Sequence, residues 1–303
     1  MIQMSPRTRE ACRRFCRNRA AFASLILLLV LAALSFLEPS IARLTGGDPS
    51  LVQLHQRLLG PSLAHPLGTD ELGRDLMLRL LEGGRISLGV GIFGAIAASV
   101  IGTAIGLAAG YRGGVLDGFL MRLTDGVIAL PLLPLLIVLA AIDLQKLGVP
   151  AELARSETAS LYRIVALVAL VGWTTVARLV RGAALSLKTR DFVRAAIAMG
   201  ATPLRVMTVH ILPNLASVII VSTALSVGGV ILLESVLSYL GLGIAPPLAS
   251  WGEMLSGAQE TITIAPALAI YPGVLIFLVV VACNLGADGL QEALDPRERS
   301  ESR

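Results

Sequence analysis

The chain has 303 residues, 55% hydrophobic and only 15% charged, with a formal net charge of +4 and an isoelectric point near 9.3. A soluble domain is typically about 25% charged. The deficit, together with long stretches that carry no charge, excludes an ordinary soluble protein and describes one whose helices face lipid. The basic balance does not describe a nucleic-acid binder, because no basic face interleaved with aromatics occurs.

The first 19 residues hold six arginines (Arg7, Arg9, Arg13, Arg14, Arg17 and Arg19) beside an apolar run, which reads as a topology signal. Cys12 and Cys16 lie one helical turn apart here, and free thiols are the expectation. With Cys283 and the histidines His55, His65 and His210 they are too scattered for a zinc site.

A spanning helix needs about 20 mostly apolar residues, and six such runs follow: 20–37, 86–110, 119–142, 161–180, 215–236 and 266–286. The first is longer than the core of a signal peptide and lacks a small-x-small cleavage site, so a retained anchor is expected. The segment 38–85 between the first two runs carries five arginines. On the second run Gly94, Ala98, Gly102, Gly106 and Gly110 recur every four residues, the spacing that lets two helix backbones approach closely in lipid. Pro131 and Pro134 should kink the third. Asp125 lies one turn into that run, with Arg122 at i−3 as its expected partner. Glu234 lies near the end of the fifth run, where packing or capping competes with a substrate role.

Orientation is read from Lys and Arg beside the runs. The N-terminus and the segment after the fourth run (Arg178, Arg181, Lys188, Arg190, Arg194, Arg205) are basic, whereas 237–265 has no Lys or Arg. Six spans with both termini in the cytoplasm fit these three segments. The tail, with Arg297, Arg299 and Arg303, then lies inside. The arginines of 38–85, external in this scheme, run against it.

No GxxxxGK[ST] loop is present, and neither of the two lysines, Lys146 and Lys188, follows a glycine-rich turn. ATP binding by this chain is not expected, and no HExxH or GxSxG sequence occurs. A secondary carrier would show inverted repeats and midplane charges. A membrane enzyme would show clustered intramembrane His, Asp or Glu.

The most informative stretch is 189–214, TRDFVRAAIAMGATPLRVMTVHILPN. It reads as a short helix with Phe192, Ala195, Ala196 and Met199 on its small or apolar positions, ended by Gly200 in a left-handed conformation. Thr202 then caps, and Pro203 opens, a second short helix that Pro213 breaks. Arg194 and Arg205 make the pair basic, and by itself it could rest on acidic headgroups.

This stretch resembles the EAA loop of the membrane subunits of binding-protein-dependent ABC importers. Ala195, Ala196, Gly200, Leu212 and Pro213 match at the family spacing, while Arg194 replaces the Glu and His210 the Ile. Both departures, with Ala201 and Arg205, resemble the dipeptide/oligopeptide/nickel subfamily. The segments 65–75 (HPLGTDELGRD, where Thr69 would cap a helix beginning with Asp70 and Glu71), 110–125, 237–243, 250–255 and 293–297 resemble further landmarks of its C-type subunit.

The resemblance implies an all-α, polytopic, type I importer (MetI-like) transmembrane domain in a bacterial inner membrane. Its parts would be a cytoplasmic segment 1–19, a first span with external segment 20–85, a core 86–286 holding the coupling loop, and a cytoplasmic tail 287–303. It also implies a non-catalytic subunit that binds no cofactor itself. A homologous B-type permease would complete the pathway, one or two ATPase subunits would use ATP and Mg, and an external binding protein would deliver peptides, nickel, glutathione or another small solute.

Overall fold

Small residues decide which helices meet. The computed structural model describes residues 6–294 apart from 143, 155 and 157, and among the described residues there is no strand. A basic helix α1 (Pro6–Arg17) leads into α2 (Arg19–Phe36), which Asn18 caps by accepting the Ala21 N–H, and a short α3 (Glu38–Thr45) follows. The irregular segment after it ends at α4 (Leu76–Arg112), α5 (Gly114–Ala129) and α6 (Leu132–Ala140). Then come a single turn α7 (Ala151–Ala154), α8 (Ala159–Lys188), α9 (Asp191–Ala198) and α10 (Pro203–Arg205). A π turn, Val206–Ile211, joins α10 to α11 (Leu212–Tyr239), and α12 (Trp251–Gly257) and α13 (Ala267–Leu294) complete the chain.

The four-residue stripe on α4 packs against α8. A Cβ at Gly102 would lie 2.5 Å from the Trp173 carbonyl oxygen, and one at Gly110 would lie 2.8 Å from the Ala184 Cβ. Any side chain at these positions would force the two backbones apart, so the stripe sets the closest helix pair of the bundle. The first apolar run belongs to the same bundle: Ala21 and Ser35 on α2 are buried, facing Gly289 on α13 and Gly84 on α4.

Five helices are long and apolar enough to cross a membrane, and α5 with α6 forms a further pair bent by 88°. The pair could be one broken span or a re-entrant loop. A contact between the chain ends settles the count. Asn18, at the start of α2, donates from Nδ2 to Glu292 Oε2 near the end of α13 at 2.8 Å. The two ends therefore lie on one side, an even number of crossings separates them, and α5–α6 is the sixth span.

Three expectations are corrected. The second apolar run is embedded in a helix that begins at Leu76, ten residues earlier than its hydropathy, and Asp75 caps it by accepting the Leu78 N–H at 2.9 Å. No helix starts at Thr69; its Oγ1 instead accepts the Leu59 N–H at 2.8 Å within the irregular segment. Pro213 also does not break a helix. The π turn admits one more residue per turn ahead of it, so the run Pro203–Tyr239 continues as one 37-residue helix.

Candidate functional site

The loop between α8 and α11 is built from backbone chemistry that its sequence specifies. Gly200 has φ +84°, and the chain doubles back there. The Ala201 N–H donates to Ala196 O at 3.0 Å and the Gly200 N–H to Ile197 O at 2.9 Å. This is the paired bonding of a Schellman ending, and it satisfies carbonyls that α9 would otherwise leave open. Thr202 Oγ1 then accepts the Arg205 N–H at 3.4 Å, and Pro203 takes the first helical position, where its missing N–H costs nothing. The second helix is not separate: it is the first turn of the long helix, so the loop is a short helix folded against the end of a span.

One face of the loop anchors it. Val193, Val206 and Ile211 are buried and pack with Val176, Val180 and Ala184 of α8 and Leu107 of α4, and Ala196 is buried as well. Around them stands an exposed apolar surface, with Phe192, Ile197, Leu204 and Val209 uncovered and Met199 81% exposed. Arg194, Ala195, Gly200, Arg205 and Pro213 are exposed beside it, Ala201, His210 and Leu212 are half-buried, and Ala196 is buried. Nothing lies within 4 Å of a Cβ placed on Gly200. Ile197, Leu204 and Val209 escape a reading of the sequence because their exposure depends on how α9 turns back.

At the opposite end of the bundle the polar groups are turned inward. Arg74 Nε donates to Asp70 Oδ2 at 2.6 Å, Arg79 Nη2 to Glu253 Oε2 at 2.7 Å, and Arg85 lies 3.4 Å from Glu38. Burial pushes the Glu253 carboxyl up from its usual range, and the Arg79 guanidinium beside it opposes that push. His65 Nδ1 lies 2.9 Å from Asp75 Oδ2. Three of the five arginines in the segment 38–85 are thus consumed in ion pairs.

Glu234 belongs to this end. It is fully buried; Ser238 Oγ donates to its Oε1 at 2.7 Å and Ser87 Oγ to its Oε2 at 3.2 Å. The same hydroxyls accept the backbone N–H groups of Ile244 and Trp251. Trp251 is itself buried over Gly83 and Gly84, and its Nε1 donates to Leu80 O at 2.9 Å. This geometry ties α4, α11 and α12 together through one carboxylate.

Asp125 is not partnered as expected. Arg178 of α8 donates to its Oδ1 at 2.5 Å, and Arg181 donates to both carboxylate oxygens of Asp117. These two pairs hold α5 to α8, whereas Arg122 stays exposed. Among the described residues no group of three or more His, Cys, Asp or Glu gathers to hold a metal ion.

The described residues form an all-helical, six-span membrane protein with a folded loop at one end, and sequence comparison supplies its class. Residues 102–300 match the family model of the binding-protein-dependent transport system inner membrane component. Residues 6–61 match that of the N-terminal transmembrane domain of oligopeptide transport permease C. The chain belongs to this family of importer permease subunits. It is 40% identical over 293 residues to a glutathione transport system permease protein, GsiD, of Pectobacterium atrosepticum, covering 96% of this chain and 92% of that one. It is 37% identical to the oligopeptide transport system permease protein OppC of Haemophilus influenzae, covering 96% and 88% of the two chains. The dipeptide transport system permease protein DppC of Alkalihalophilus pseudofirmus is also 37% identical, with 96% and 90% covered.

Proposed function

We propose that this chain forms half of the translocation pathway of an ATP-driven importer of di- and oligopeptides, with its 189–214 loop seated in a groove of a cytoplasmic ATPase subunit. The observation that carries the reading is the exposed apolar surface around Met199 and Leu204, flanked by Arg194 and Arg205, on a loop whose other face is buried in the chain's own core. A surface of this kind facing the cytosol is fitted for a protein partner. Gly200 lets the chain turn, and the small Ala195 beside it lets a partner approach. Ala196, Ala201, Leu212 and Pro213 keep the loop's shape, and His210 closes it, its carbonyl accepting from Asn214 Nδ2 at 2.7 Å.

In this mechanism the ATPases bind ATP and Mg, close on each other, and move the loops. Each loop is continuous with its span, so closure tilts the helix and the pathway alternates between its two openings. A homologous B-type permease supplies the other half, and an external binding protein delivers the cargo. Both termini lie in the cytoplasm and the Glu253 end lies outside. A glutathione cargo is the second reading, favoured by the relative named for that tripeptide.

Co-purification from native membranes in mild detergent tests the proposal. One homologous permease and one or two ATPase subunits should accompany the chain. Recovery of the chain alone from membranes active in uptake would end the heteromeric reading. A cysteine at Thr202 should be labelled only from the cytoplasmic side and one at Gln259 only from outside; the reverse pattern would invert the topology.

A further inference from the structure

The broken span α5–α6 interrupts its backbone hydrogen-bond ladder where a membrane helix should be continuous. Residues 128–134 are seven consecutive exposed positions, and they contain the break. Pro131 and Pro134 carry no N–H, so the carbonyls of Val127 and Leu130 lose the donors that a continuous helix would place four residues on. The bonds that bridge the break are Leu130 N–H to Val127 O at 3.3 Å and Leu135 N–H to Pro131 O at 3.1 Å. Pro134 leaves the Leu130 carbonyl without its helical donor.

The break is deep. On one side Asp117 is held by Arg181, and on the other Arg163 Nη1 donates to Ala140 O at 3.3 Å. Arg163 and Arg181 are 18 residues apart on α8, about 27 Å at 1.5 Å per residue, and the break falls between them. Open backbone at such depth does not face lipid; it is buried in protein or lines water. A second observation points to water. The Asp125–Arg178 pair lies close before the break with side chains 61% and 49% exposed, and intramembrane charges face a bundle interior or an aqueous cavity. Arg122 and Asp125 are exposed on the same side of α5 as Gly118, Gly126 and Ala129, and a Cβ on either glycine would meet nothing within 4 Å.

We infer that this face of α5 and the break at 129–133 line the water-filled pathway and contact the cargo. Open carbonyl and N–H groups there meet the amides of an extended peptide, while Arg122 and Asp125 meet its charged ends. Backbone groups cannot discriminate among side chains, so the site takes short peptides as a class. The inference rests on the importer reading and adds to it which surface the cargo touches.

The test uses the assembled complex in native membranes with Cys12→Ser, Cys16→Ser and Cys283→Ala as the parent, whose uptake of trialanine is measured first. Ala129→Cys and Leu133→Cys are then added singly, with Phe277→Cys on the exposed apolar side of α13 as the lipid-facing comparison. Both break positions should react with a charged, membrane-impermeant thiol reagent. Supplying trialanine with the binding protein and ATP should slow that reaction at least about threefold, whereas Phe277→Cys should react only with a membrane-soluble reagent. Break positions that behave like Phe277→Cys, or that react with neither reagent because the partner permease covers them, overturn the inference while the importer reading stands. An assembled parent that takes up no trialanine removes the peptide reading, and this inference falls with it.

Discussion

The two ends of the bundle use polar and apolar residues in opposite ways. At the Glu253 end, charged and hydroxyl groups are buried and paired within the chain: Arg79 with Glu253, Arg74 with Asp70, Glu234 with two serines. At the loop end, Phe192, Ile197, Met199, Leu204 and Val209 stand exposed. Charges in a membrane protein invite a functional reading, yet these are consumed in holding α4, α11 and α12 together. The loop's apolar side chains have no such internal employment, and they are where a partner must be sought.

Substitutions at the two ends should therefore separate stability from coupling. The largest effect is expected for Gly200→Asp. A side chain at φ +84° is strained, and a carboxylate would stand in the middle of the apolar surface. Uptake should be abolished and ATPase association lost while the protein stays inserted; normal uptake by a well-expressed variant would sink the docking assignment. Next comes Arg79→Ala, which leaves Glu253 buried without its partner and should cost about 3–5 kcal/mol of stability, read as a lower thermal midpoint in detergent. An unchanged midpoint would show that the pairs at this end are not holding the fold.

Leu204→Ser removes an exposed apolar contact worth about 1.5–3 kcal/mol when buried. ATPase affinity should fall roughly ten- to a hundredfold by the 1.4 kcal/mol per decade relation, with the midpoint unmoved. A fall in midpoint instead would place Leu204 among the core residues. The smallest effect is expected for Thr202→Ala, which deletes the cap and should lower stability by about 1 kcal/mol. Protease susceptibility of the loop would report it, and a variant as resistant as the parent would show the cap to be dispensable.

Much of this was legible in the residues. Small side chains every fourth position on α4 foretold a close helix contact, because spacing alone puts them on one face, though not that α8 would be the partner. Gly200, Thr202 and Pro203 foretold the turn, because each acts on its own backbone. What escaped depends on distant residues. Asp125 takes Arg178, 53 positions away, rather than its neighbour on the same helix. The start of α4 was hidden because Arg79 and Glu82 lower the hydropathy of a segment whose charges the fold then buries. Pro213 read as a breaker, since nothing local announces that a π turn will absorb it. The 88° bend follows from two prolines in kind but not in size.

The long helix from Pro203 to Tyr239 has a mechanical consequence. At 37 residues and 1.5 Å per residue it is a lever about 55 Å long, so a tilt of about 10° about its far end corresponds to a stroke of roughly 10 Å at the loop. The serine–glutamate cluster gathered around that far end would then act as its fulcrum, and the π turn as the joint that decides how much of the stroke arrives.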